Sequence, residues 1–80
     1  MYNAEVIAYF SKEGVPKPYR IRFYEKDESV VLDIKRVIQK DIQTVNKKKQ
    51  YEFRCEADIG GSIKQFRLKF DIESCKWYVV

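Results

Sequence analysis

The sequence predicts a mainly-β domain, a small antiparallel meander of five or six strands closing into an SH3-like barrel. Three observations predict it. Between Tyr51 and Val80 apolar residues alternate, at 51, 53, 55 and 57 and again at 66, 68, 70 and 72, which is the period of strands with one buried face. Gly60-Gly61 separates the two runs, and glycine supplies the positive φ angles that a two-residue hairpin turn demands. The register that follows is self-consistent: Phe53 opposes Leu68, Cys55 opposes Phe66, Tyr51 opposes Phe70, and Glu52 meets Lys69 on the other face. A turn at Glu73-Ser74 then sets Phe70 against Trp77, Leu68 against Val79 and Asp71 against Lys76. Each such pair contributes roughly 0.2–1 kcal/mol, and a one-residue slip would turn every side chain to the wrong face. Arg54 falls opposite Arg67, a like-charge pair that either costs stability or marks an anion site.

The first strand is expected over residues 3–10, with Val6, Ala8 and Phe10 on one face and Ile7 and Tyr9 on the other. A loop over 11–17 follows, punctuated by Gly14, Pro16 and Pro18, since proline cannot donate to a ladder. Residues 19–24 alternate cleanly, placing Tyr19, Ile21 and Phe23 on one side and Arg20, Arg22 and Tyr24 on the other. A four-residue turn at 26–29 would pair Phe23 with Leu32, Arg22 with Asp33 and Ile21 with Ile34.

Residues 30–45 support two readings. Apolar positions 30, 31, 34, 37, 38, 42 and 45 fit a helical stripe, with Ser29 as its cap and Asn46 at its end. Yet half of these sixteen residues are Val, Ile or Thr, which favour strands. The register test also favours a strand over 30–38, with a bend or bulge near Arg36-Val37 accounting for the phase. Residues 39–45 would then continue into a hairpin with its tip at Asn46-Lys47-Lys48-Lys49. The alternative is an α+β domain with one helix at about 30–45.

Eighty residues make one domain, 1–80, and the 45% hydrophobic content with twelve Phe, Tyr and Trp residues is enough for a core. Sixteen Lys and Arg against twelve Asp and Glu leave a formal charge of +4, a mild excess that permits an acidic partner. The N-terminus lacks a basic leader with an apolar core, and no stretch approaches a membrane span, so a cytoplasmic protein is expected. Cys55 and Cys75 share the inward parity of their strands and are expected as buried free thiols; nothing in their spacing indicates a disulfide.

Catalysis is not expected. The chain has no His and no Cys-x-x-Cys, and Gly60-Gly61 is followed by no P-loop Lys-Ser or Lys-Thr. No catalytic residue, metal ligand or cofactor site is therefore assigned. Pro18-Tyr19-Arg20-Ile21-Arg22, Asp33-Ile34-Lys35, Phe53-Arg54-Cys55 and Cys75-Lys76-Trp77-Tyr78 together resemble a group of short uncharacterised proteins of Gram-positive bacteria. The resemblance implies a stand-alone small bacterial domain and no particular activity.

The candidate surface is outward-facing. If Ala8 opposes Ile21, Tyr9 lies beside Arg20 and Ile7 beside Arg22, with Tyr24 continuing the face. Interleaved Arg and Tyr can hold the phosphates and stack the bases of single-stranded nucleic acid. Arg54 and Arg67 would enlarge the patch if they share its wall, and Lys47, Lys48 and Lys49 would add backbone contacts. Such residues also sit comfortably on any solvated strand. The competing expectation is a protein–protein adaptor that uses Ile7, Tyr9, Tyr24, Tyr78 and Val80 or an open strand edge to bind an acidic protein surface or a second copy as a weak homodimer.

Overall fold

The computed structural model describes residues 2–80. Six strands follow in chain order: β1 (Tyr2–Phe10), β2 (Pro16–Glu25), β3 (Glu28–Val45), β4 (Lys48–Ile59), β5 (Ser62–Asp71) and β6 (Lys76–Val79). Each pairs antiparallel with its neighbours in sequence, and β6 returns to β1, closing a small barrel of SH3-like architecture. β1 and β3 are its corners. Tyr2–Ala4 pair with β6 while Glu5–Phe10 pair with β2, and Glu28–Asp33 pair with β2 while Ile34–Val45 pair with β4.

The helical alternative for 30–45 gives way to strand throughout, and the described residues contain no helix. Two bulges explain the helix-like spacing. Ile34 faces Ala57 and Val37 faces Cys55, three positions apart yet both inward, because Lys35 is an extra residue between them. Ile38 is the second extra residue, after which Lys40 opposes Phe53. Each bulge moves the in/out phase by one and bends the strand.

The β4–β5–β6 register is the expected one, including Arg54 opposite Arg67. Gly60 and Gly61 take φ of 59° and 85°, and the Gly61 N–H donates to the Asp58 carboxylate at 3.0 Å. The last connection runs from Ile72 to Cys75 and is closed by the Cys75 N–H donating to the Asp71 carbonyl at 2.8 Å. Cys75 there has φ 58° and is exposed, contrary to its expected burial: it belongs to the turn, not to the alternating strand. Cys55 is buried as expected, and both thiols are free.

Two registers differ from expectation: β2–β3 by two residues throughout, and β1–β2 by two over Glu5–Ile7 and by three from Ala8 onward, past a bulge. The β2–β3 turn is Lys26-Asp27 alone, at φ 50° and 65°, so Phe23 opposes Val30, Ile21 opposes Leu32, and Arg20, not Arg22, opposes Asp33. The third hairpin likewise turns on Asn46-Lys47, at φ 51° and 64°, not on a four-residue tip. In β1–β2, Val6 rather than Ala8 opposes Ile21, Ile7 opposes Arg20, and Tyr9 opposes Lys17. Pro16 and Pro18 belong to the strand, fully buried, instead of to the loop. Tyr19 is the extra residue between the Arg20–Ile7 and Pro18–Ala8 pairs and is exposed, not inward.

The core is Ile21, Phe23, Phe53, Cys55, Leu68, Phe70, Trp77 and Val79. Trp77 is its aromatic centre, with ring centroids 4.6 Å from Phe70 and 5.9 Å from Phe53. Phe10 packs edge-on against Phe70 at 5.8 Å, and Tyr2 against Phe23 at 5.5 Å, so β1 lids the barrel with aromatic rings.

Candidate binding site

Proline chemistry opens a seam in the barrel. The β2–β3 ladder starts at Glu25–Glu28 and stops at Arg20–Asp33. Beyond it β2 continues toward its start as Tyr19-Pro18-Lys17-Pro16, while β3 continues through its two bulges to Val45. Pro16 and Pro18 share one strand parity and have no N–H, and Tyr19 is a bulge, so this stretch of β2 cannot offer β3 a regular row of donors. Among the described residues, β3 from Lys35 onward is paired on one side only, to β4.

Two adjoining cavities fill the seam, sharing Lys17 and Val37 as walls. The larger, about 580 Å³, is built from Val15, Pro16, Val37, Ile38 and Phe53, with Tyr9 at its side. The smaller, about 250 Å³, runs between Pro18 and Tyr19 on β2 and Ile34 and Lys35 on β3. Phe53 is almost wholly buried and forms the floor, tying the cleft to the core. The rim is basic. Lys17 and Lys40 line the larger cavity and Lys35 the smaller, and none of the three is in an ion pair among the described residues. Lys40 occupies an inward position of β3, directly opposite Phe53, where the barrel mouth leaves it exposed over the cleft. The Lys17 ammonium lies 5.5 Å from the Tyr19 ring centroid, which holds it at the rim.

The Arg/Tyr surface is arranged differently. Tyr9 and Tyr24 are exposed, at 62% and 55%, on the outer wall of β1 and β2. Arg20 is ion-paired with Asp33. Arg22 makes a bidentate pair with Glu5, Nε to Oε1 at 3.0 Å and Nη2 to Oε2 at 2.9 Å. Those hydrogen bonds, then the adjacent charge, hold the Glu5 carboxyl below its ordinary pKa and raise that of Arg22. Glu5, Arg20, Arg22 and Asp33 thus form a patch with no net charge. Arg54 and Arg67 lie on the β4–β5 wall, separated from that patch by β3, and Arg67 donates to Glu52 at 3.3 Å. The expected six-residue site is therefore split over two walls, and Tyr9 neighbours Lys17 instead of Arg20. Of the apolar residues expected at an interface, Ile7, Tyr9, Tyr24 and Val80 are exposed and Tyr78 is half-buried.

The sequence alone assigns no binding role to Pro16, Lys17, Lys35, Ile38 or Lys40. The usable signal was Pro-x-Pro at alternate positions abutting a strand, which marks a ladder that stops. Compared with known proteins, the chain matches no family model, no curated protein and no solved structure.

Proposed function

We propose that this domain is a protein-interaction module that captures an extended segment of another polypeptide along the open edge of β3. The observation that carries this is the run of β3 from Lys35 to Val45, paired to β4 on one side and to no strand on the other among the described residues, lying beside an open, largely apolar cleft. An unpaired edge presents main-chain donors and acceptors in the spacing of a polypeptide strand, and a cleft beside it accepts alternate side chains. Nucleic acid matches the β1–β2 wall less well, because Arg20 and Arg22 are already satisfied by carboxylates and have little net charge to offer phosphate.

The test is selection from a random peptide library on the immobilised domain, followed by amide NMR mapping of a selected peptide. Capture at the edge predicts shifts at residues 15–19 and 34–40 with little change on the Arg22–Glu5 wall. A titration with mixed single-stranded DNA and RNA, run in parallel, should leave the spectrum nearly unchanged at moderate salt. Salt-sensitive shifts centred on Tyr9, Arg20, Arg22 and Tyr24 would favour nucleic acid instead.

A further inference from the structure

We infer that, given strand capture at the seam, the captured segment is acidic: a strand whose alternate aliphatic side chains enter the cleft while its carboxylates meet Lys17, Lys35 and Lys40. Three observations converge on this class of partner. Val15, Pro16, Val37 and Ile38 wall the cleft over a Phe53 floor, with Ser11, Gln39 and the lysines among its polar lining residues, so the cleft favours an apolar side chain pointing inward. The two cavities are lined by Lys17, Lys35, Arg36 and Lys40 and by no carboxylate; Arg36 is ion-paired with Glu56 at 3.0 Å, while the three lysines are in no ion pair among the described residues. The seam is thus locally basic, with cations at its rim and no carboxylate in its lining to offset them. Lastly, the edge discriminates against its own kind. A second copy pairing β3 to β3 antiparallel would bring Lys35 and Lys40 of both chains together, and like charges keep edges from pairing. An acidic strand meets the same lysines as attraction. The one carboxylate on this part of β3, Asp41, is on the outer side opposite Glu52, where it accepts a hydrogen bond from Gln39 at 3.0 Å; it does not face the cleft.

Three short synthetic peptides test this: one alternating Ile with Glu, one alternating Ile with Thr, and one alternating Ile with Lys, each titrated into the labelled full chain at low and moderate salt. The Glu peptide should bind most tightly, and the Lys peptide should not bind. Partly exposed ion pairs are each worth up to about 1 kcal/mol, so the Lys17→Gln/Lys40→Gln double variant should weaken the Glu peptide by roughly 3–30-fold and leave the Thr peptide unchanged. The Glu peptide's advantage should shrink as salt rises. If the Thr and Glu peptides bind equally, or the lysine variant binds both as before, the acidic partner is wrong while strand capture survives. If none of the three binds, or a proline placed mid-peptide makes no difference to binding, strand capture itself fails. Both lysines are exposed, so the variants are expected to keep the parent's spectrum outside the seam, which the same experiment reads.

Discussion

Replacing Lys26-Asp27 with Asn-Gly should stabilise the protein, and the sign of the effect distinguishes two folds of the same hairpin. Both residues have left-handed φ, 50° and 65°, as a two-residue type I′ turn requires. A non-glycine L-residue pays roughly 1–2 kcal/mol there, less for Asp and Asn. Glycine removes that cost at position 27 but returns about 0.4–1 kcal/mol through the greater entropy of the unfolded chain. Asn at position 26 tolerates the left-handed region better than Lys. The net expectation is a gain of about 1 kcal/mol, which for a domain of this size raises Tm by about 4–8 °C. With the four-residue turn at 26–29 that alternation alone suggested, residues 26 and 27 would have ordinary negative φ. Glycine would then only add unfolded-state entropy, and Tm would fall. Thermal unfolding by circular dichroism, with urea titration to show an unchanged m value, decides. A lower Tm at constant m would refute the two-residue turn and with it the Arg20–Asp33 register.

Four further outcomes follow from the same structure. The Glu5 carboxyl, stabilised as its anion by Arg22, should titrate below the ordinary glutamate range by NMR and return to it in Arg22→Gln; because its folded pKa is depressed, the stability it contributes is lost as pH falls through that value, and an unshifted Glu5 would contradict the bidentate pair. Burial pushes the Cys55 thiol up to about 12 while Cys75 is exposed, so a thiol reagent at mildly alkaline pH should modify Cys75 promptly and Cys55 only after unfolding. A thiol whose folded pKa is raised adds stability below its unfolded value of about 9 that is lost as pH climbs toward 12; the alkaline fall in urea midpoint should therefore be shallower in Cys55→Ala than in the parent. Leu68→Ala, at a fully buried site, should cost about 2–5 kcal/mol against a total of roughly 4–12 kcal/mol for this length, shifting the urea midpoint sharply; a shift under a quarter of the parent midpoint would mean the core relaxes around the deletion.

The β4–β5–β6 meander was legible because its information is local. Alternation defines the faces, Gly60-Gly61 defines a turn of known length, and the register follows by counting. The bulged corner of β3 was half legible. A phase break between Ile34 and Val37 required a bulge near that point, but its position and the second bulge at Ile38 depend on how β3 bends around the core.

The two misplaced registers share one cause. The β2–β3 register and the Glu5–Ile7 part of β1–β2 are off by two residues, and a shift of two preserves which side chains face in; beyond Ile7 the bulge adds a third and turns Tyr19 itself outward. Alternation is blind to even shifts, so every apolar pair still met an apolar partner at the wrong register. Turn length breaks that degeneracy, and Lys26-Asp27 does not announce a two-residue turn as Gly-Gly does. The ion pairs moved with the register: Arg22 turned from Asp33 to Glu5, and a patch read as cationic became neutral.

Residue type and short-range period were enough for the mainly-β barrel reading with five or six strands, a helix at about 30–45 still open beside it, for which residues are inward over most of the chain, and for the lack of any histidine. Tertiary structure alone decided which arginines are free, which cysteine is exposed, and that β2 and β3 part company at Pro16 and Pro18 to leave a lysine-rimmed cleft. Those are properties of what stands next to what across the barrel. A missing ladder bond or an unpaired charge is visible only once both strands that would have shared it are in place.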